Sequence, residues 1–400
     1  MNPEEIAAAM TGRVAPDGEG RSAAFLPSPM IQNHAAFLAF LPAGVSDGAL
    51  ACAWFGGTLE GKSDISIFAS VLSADGTQWS KPTQLTDDPA RSEQNPVISV
   101  SPAGAITLFH TAQPAGNQDE CLLRQRPLSQ AGEGLVSGPS HDLGLPRGTF
   151  VRAPLRLRDD GAWMLPVFFC NARPGWRWTG RHDTAGVAVS ADAGETWSLA
   201  QVPGSLGCVH MTIVPLGDGW LAAFFRRRKA DSVFRTESGD GGRSWSIPAP
   251  TDVPNNNSSL AAIALADGRV ALLCNPVSAA DTPDRRQSLY DELDEENTRP
   301  DTRSDTGPDT GPDRGGEAIW GVPRAPLALC LSEDGGLTFP LRRIVEDGPG
   351  TCLSNNSLDG RNRELSYPSM VEGPDGALHM AFTFHRRAIK YVRLAPGWAG

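Results

Sequence analysis

The chain has 400 residues, 40% of them hydrophobic and 20% charged, enough to bury a large core. With 35 Lys and Arg against 46 Asp and Glu, its formal charge is −11. That balance disfavours non-specific nucleic-acid partners but does not exclude one local basic pocket.

Residues 1–20 carry acidic groups where a secretory leader needs basic ones, and they lack an apolar stretch. They read as an N-terminal extension to one unit over 21–400. No apolar run approaches the ~18 residues of a membrane helix, so no membrane partner is expected. Seven cysteines (Cys52, Cys121, Cys170, Cys208, Cys274, Cys330 and Cys352) are scattered with no C-x-x-C spacing. They predict buried free thiols rather than a disulfide framework or a zinc knuckle. A cytoplasmic location follows as an expectation, and the oligomeric state is left open.

Six strand pairs follow in chain order. They are His34–Leu41 with Ala49–Phe55, Pro96–Val100 with Ala105–Phe109, and Ala153–Leu157 with Ala162–Phe169. His210–Leu216 with Trp220–Phe225, Leu260–Leu265 with Val270–Cys274, and Tyr367–Glu372 with Ala377–Phe384 complete the set. Turn dipeptides such as Asp160-Gly161, Asp218-Gly219, Asp267-Gly268 and Asp375-Gly376 separate the partners, and alternation with β-branched residues supports strands. Helical periodicity is weak everywhere except around residues 4–10.

A box S-x-D-x-G-x-[TS]-[WF] recurs downstream of these pairs. It begins at Ser190, Ser238 and Ser332, with a shortened copy at Ser73, and the first two full copies define a period of about 48. Asp and Gly at that spacing suit a tight hairpin, with Asp accepting backbone N–H bonds and Gly at positive φ, so these aspartates fold a turn. Ten Trp against three Tyr is explained in part by the box aromatics. Six four-stranded units in a row predict an all-β, six-bladed β-propeller. A strand near Ala24–Leu26 is expected to join the last blade and close the ring. Residues 279–318, with their repeated D-T-G-P-D, read as a disordered acidic insertion in the fifth blade.

The boxes, together with Phe55-Gly-Gly-Thr-Leu-Glu60-Gly-Lys-Ser-Asp64, Leu365-Ser-Tyr367-Pro-Ser-Met and the passage from Leu378 to Tyr391, resemble the sialidase (neuraminidase) superfamily. They look like a bacterial branch of predicted neuraminidases, and the resemblance runs from about residue 25 to 396 apart from the insertion. The resemblance implies a propeller of sialidase type and glycoside chemistry.

Strand alternation sorts the loops independently. Strand-one starts, strand-two ends and strand-three starts share one face, and the boxes lie on the other. The first face gathers His34, Asn95, Arg152, His210, Asn257, Tyr367, Glu60, Asp64, His110, Arg226, Arg324 and His385. The third unit's loop adds Trp176, Trp178 and His182. Polar groups converging on one rim mark the candidate pocket.

The resemblance implies roles at matching positions. Retaining sialidases use a Tyr nucleophile activated by a Glu, an Asp acid/base and an arginine cluster for the sugar carboxylate. A neutral phenol approaches an anionic sugar without the repulsion a carboxylate would meet. Tyr367 matches the nucleophile and Asp64 the acid/base, with Glu60 as a second carboxylate. Arg226 and Arg324 match carboxylate-binding arginines. Arg152, Asn95, His182 and Trp178 are further candidate substrate contacts, Trp178 either as a stacking platform or as loop packing. Two departures stand out. The first unit opens Ile31-Gln-Asn-His34, where sialidases have Arg-Ile-Pro. The fourth opens Gly207-Cys208-Val209-His210, where they have the activating Glu. His210 or a displaced Glu is therefore a candidate base.

The expected function is an exo-glycosidase of sialidase type, removing a terminal acidic sugar from an oligosaccharide or glycoconjugate. No H-E-x-x-H, EF-hand or P-loop is present, and no cofactor or metal is expected. The alternatives are another propeller glycosidase, a lyase of uronate-containing glycans using His182 or His210, and a non-catalytic carbohydrate-binding propeller.

Overall fold

A computed structural model describes residues 1–42, 48–114, 117–285, 315–353 and 362–398. Six antiparallel sheets follow one another along the chain. Blade 1 runs Gln32–Phe40, Leu50–Gly57, Ser66–Val71 and Thr83–Gln84. Blade 4 is equally regular, from Cys208–Gly217 through Trp220–Arg227 and Ser232–Ser238 to Ala249–Pro254. In blade 6, Leu365–Glu372, Leu378–Phe384 and Ala388–Leu394 are joined by the N-terminal strand Arg21–Phe25, which pairs with Ala388–Leu394. One blade built from both ends of the chain closes the ring, as the sequence predicts.

The inner strands are nearly all buried and apolar, because each sheet packs on a neighbour at both faces. Phe37, Phe55, Val97 and Phe109 join blades 1 and 2. Val214, Phe224, Leu260 and Leu272 join blades 4 and 5. The residue 1–20 segment contributes a short helix, Pro3–Ala9, capped by Asn2, and its Ile6 is buried among the residues of blades 5 and 6.

The boxes form the hairpins between third and fourth strands. In blade 4, Ser238 Oγ donates to Asp240 Oδ1 (2.8 Å), and the same oxygen accepts the Ser244 N–H (2.9 Å). Box glycines also set how closely blades approach. A Cβ on Gly336 would stand 2.2 Å from Phe224 Cζ of the preceding blade, and φ there is +84°. The box aromatics Trp79, Trp245 and Phe339 are buried beneath their hairpins.

Three details correct the sequence reading. The first strand of blade 3 is split into Thr149–Val151 and Arg156–Leu157, leaving Arg152 between them. Several strands reach further toward the rim than predicted, notably Ser92–Val100 and Ile106–Gln113. The insertion is narrower than 279–318, because both of its described ends are anchored. Ala279 N–H donates to Ala230 O (2.8 Å) and Gly316 N–H to Arg181 O (2.7 Å). Residues 286–314 lie outside the described residues. All seven cysteines are free and buried, and among the described residues no helix is long and apolar enough to cross a membrane.

Candidate active site

One local distortion builds the site. In four blades the first strand breaks register at corresponding points, between His34 and Phe37, Gln94 and Val97, Val209 and Thr212, and Ser366 and Ser369. Each break is a bulge with a non-glycine residue at positive φ, namely Ala35 (59°), Asn95 (52°), His210 (55°) and Tyr367 (52°). Asn257 of blade 5 shares that conformation (54°). A bulge re-aims its extra side chain, and a left-handed non-glycine residue costs roughly 1–3 kcal/mol that packing must offset. Repeated round the ring, the device turns residues toward a common axis.

Tyr367 stands at the centre. Arg226 Nη1 donates to its hydroxyl at 2.8 Å. The guanidinium carbons of Arg324, Arg152 and Arg226 lie 5.4, 5.6 and 5.8 Å from its ring centroid. His34 and His210 flank the ring, with centroids at 4.3 and 5.6 Å. Burial works to raise the phenol pKa, but Arg226 and Arg324 outweigh it and hold the group below its ordinary value. The charge of Glu60 acts the other way.

Around this centre runs a charged network. Glu364, 1% exposed at its side chain, accepts Arg324 Nη1 at 2.8 Å and Arg386 Nε at 3.0 Å, and Ser366 Oγ donates to it at 2.7 Å. Arg386 also pairs with Glu60 through Nη1, and its Nη2 lies 3.4 Å from His34 Nε2. Arg226 Nε donates to Asn257 Oδ1 (2.7 Å). Four guanidiniums (Arg152, Arg226, Arg324 and Arg386) thus face two carboxylates (Glu60 and Glu364), an excess of two positive charges. Arg324 Nε is buried with no hydrogen-bond partner among the described residues. A buried cationic donor left unpaired is costly unless a ligand anion meets it.

His210 meets the Tyr367 ring edge-to-face, but its nitrogens face Ser259 and Arg226 rather than the phenol hydroxyl. Its Nδ1 and Ser259 Oγ are 2.9 Å apart, and its Nε2 is 3.5 Å from Arg226 Nη1. Burial and then Arg226 push its pKa well below 6.5, so the imidazole is neutral and presents a lone pair to the guanidinium.

The other expected residues fall in different surroundings. Asp64 is exposed in the blade 1 loop, and its Oδ2 accepts the Thr58 N–H (3.0 Å). Arg152 is buried, and its Nη2 donates to the carbonyls of Ala36 (2.8 Å), Tyr367 (3.0 Å) and Pro368 (3.3 Å). It locks the bulges of blades 1 and 6 together, which turns that nitrogen away from a substrate carboxylate. Asn95 Nδ2 donates to Thr111 Oγ1 (3.3 Å) within blade 2. The His182 imidazole packs against Gly315. Trp178 is half-buried, its Nε1 bonded to Asp183 Oδ1 (2.8 Å) and its face under Arg228 (5.4 Å), which is loop packing. His110 lies apart from the cradle, buried 3.7 Å from Glu93.

Sequence reading missed Glu364, Arg386 and Trp320. Arg386 directly follows His385 at a strand-two end, a position the blade rule marks as rim. Trp320 lies on the chain returning from the insertion, where Asn257 Nδ2 donates to Ile319 O (2.8 Å). It is 39% exposed, and Arg228 and Arg226 stand 4.8 and 5.9 Å from its ring. It is the exposed aromatic surface beside the cradle that Trp178 was expected to supply.

Known proteins bear on this arrangement. The family model for the BNR repeat-like domain matches residues 48–380. Solved structures of the same shape include a Hadza microbial sialidase (TM-score 0.64, 13% identity, 92% of this chain and 66% of that one). The Trypanosoma rangeli sialidase is another (0.58, 13%, 91% and 55%). A third is a protein of unknown function from Dyadobacter fermentans (0.63, 13%, 95% and 100%). This chain spans about two thirds of the first sialidase and just over half of the second, and identities this low establish the fold alone. No curated protein matches the sequence significantly. By its domain match and its six-bladed ring, the chain belongs to the BNR repeat-like family of sialidase-type propellers.

Proposed function

We propose that the chain is a retaining exo-glycosidase of sialidase type that hydrolyses a terminal acidic sugar from a glycan, with Tyr367 as nucleophile. The observation that carries the reading is the 2.8 Å hydrogen bond from Arg226 to the Tyr367 hydroxyl inside a cradle with surplus positive charge. A guanidinium hydrogen-bonded to the oxygen favours the phenolate, the form that attacks. Arg226 takes no proton but stabilises the phenolate by charge and hydrogen bond, a different route from the carboxylate base the resemblance implies, and His210 positions Arg226.

In the first half-reaction the Tyr367 phenolate, its proton already lost to solvent, attacks the anomeric carbon, the glycosidic bond breaks, and protonated Asp64 gives its proton to the departing oxygen. Asp64 then takes a proton from water, which attacks the anomeric carbon and frees Tyr367. The sugar carboxylate faces the free donors of Arg226 and Arg324, and Trp320 offers a ring face to the sugar or its aglycone. The test is turnover on a panel of fluorogenic glycosides and acidic oligosaccharides, with Tyr367→Phe and Asp64→Ala beside the wild type. Loss in both variants supports the assignment, and turnover unchanged in both sinks it.

A second reading, a carbohydrate-binding propeller without catalysis, is favoured by one observation. Asp64 is exposed, and its carboxylate is bonded within its own loop rather than to the Tyr367 network. Binding of an acidic oligosaccharide with no turnover across the panel, weakened by Arg226→Met, would support it.

A further inference from the structure

Beneath the Tyr367 cradle, on the box-hairpin side of the ring, the central channel opens into a cavity of about 380 Å³. First strands of all six blades line it, and most of the wall is apolar, with Leu38, Ile98 and Pro368 among the contributors. That volume lies within the range of small-molecule sites, roughly 300–1,000 Å³. Two guanidiniums interrupt the apolar wall, both from the split first strand of blade 3. Arg152 forms the partition, bonded to Tyr367 and Pro368 carbonyls, and it faces the cradle above and the cavity below. It is 5% exposed, and its Nε has no hydrogen-bond partner among the described residues. Arg156 donates its Nε to Ile213 O (3.1 Å) and pairs with no carboxylate among the described residues. One carboxylate, Glu372, also lines the cavity, and its Oε2 is occupied by the Ala266 N–H (2.7 Å).

Apolar walls, two guanidiniums and one committed carboxylate match an amphiphilic anion. We propose that this cavity is a second ligand site, separate from the Tyr367 cradle, which binds a small carboxylate with an aliphatic body. The carboxylate pairs with Arg156 and the free Nε of Arg152, and the chain lies against the apolar first strands. A neutral molecule of the same shape leaves those cations unmet, so the site discriminates by charge. The inference does not depend on the glycosidase reading: it shares only the charge of Arg152 with the cradle, while Arg156 and the apolar walls belong to the cavity.

The test is calorimetric titration of the whole chain with hexanoate, with 1-hexanol as the neutral control. The proposal expects saturable hexanoate binding, at least tenfold weaker 1-hexanol binding, and at least tenfold weaker hexanoate binding in Arg156→Met. Arg156→Lys keeps the charge and should restore part of the affinity, which separates lost recognition from lost folding. Glu372→Gln keeps the bond to Ala266 and should tighten hexanoate severalfold. Arg226→Met should leave hexanoate binding unchanged, since Arg226 serves only the cradle. Absence of saturable binding, equal binding of hexanol, indifference to Arg156→Met, or loss on Arg226→Met would each overturn the proposal.

Discussion

Glu364→Gln is the sharpest single perturbation of the site, because one buried carboxylate neutralises two buried arginines. Glu364, Arg324 and Arg386 have side chains 1%, 3% and 1% exposed. Arg386 keeps Glu60 when Glu364 is neutralised. Among the described residues Glu364 is the ion-pair partner of Arg324, so glutamine leaves a buried guanidinium without a counter-charge. Breaking a buried pair in this way costs about 3–5 kcal/mol. Side-chain shape is conserved, so packing contributes little. Equilibrium urea unfolding should therefore show a loss of that size with an unchanged slope. The same substitution removes a negative charge from the surroundings of Tyr367, so the phenol should ionise at lower pH, read as ultraviolet absorbance of phenolate. Stability and phenol pKa should fall together. A loss below about 1 kcal/mol, the range of an exposed pair, or a rise in the phenol pKa, would refute the network as described.

Arg226→Met removes a charge-assisted hydrogen bond worth about 1.5–3 kcal/mol. It should raise the Tyr367 pKa and lower kcat/KM by roughly tenfold to 150-fold in steady-state kinetics. Gly336→Ala forces a Cβ against Phe224 at positive φ, and should cost about 2–4 kcal/mol by thermal unfolding from strain plus overpacking. Asp192, held by the Thr196 hydroxyl and N–H, has its pKa lowered from 3.8 to about 2. A depressed carboxylate contributes stability above its unfolded pKa and loses it as pH falls through the folded one. Asp192→Asn should therefore flatten the stability profile between about pH 4 and pH 2 relative to wild type, measured by acid titration of unfolding.

Much of the ring was readable because it rests on local chemistry. Each box is a Ser-Asp-Gly hairpin whose hydrogen bonds span a few residues, and the Asp-Gly turns that separate inner strands are equally local. Ring closure was legible because Ala24–Leu26 was an apolar strand left without a partner. The cradle was only half legible. Tyr367, Arg226 and Arg324 sit where blade geometry sends a rim residue. Arg386 meets Glu60 across 326 positions, and no short motif encodes such a pairing. The bulges were invisible because first strands such as Gln32–Phe40 are buried on both faces, so a one-residue slip leaves no mark on a pattern that hardly alternates. His210 as a base followed from the resemblance, as a substitute for the Glu missing from the fourth blade's start. The structure gives the phenol hydroxyl to Arg226 instead, because the bulge turns the imidazole toward Ser259 and the guanidinium. Trp320 was hidden beside a low-complexity run whose returning end packs onto the blade 3 loop.

The most direct test of the central claim is to trap the intermediate. The protein would be incubated with a fluorosugar of an acidic glycoside, fluorinated at the anomeric carbon and its neighbour so that attack outruns hydrolysis, and then digested for peptide mass spectrometry. The account predicts one glycosyl adduct on the peptide carrying Tyr367, absent in Tyr367→Phe and slowed in Arg226→Met. An adduct on Glu60 or Asp64, or turnover of the parent glycoside that persists in Tyr367→Phe, would contradict it.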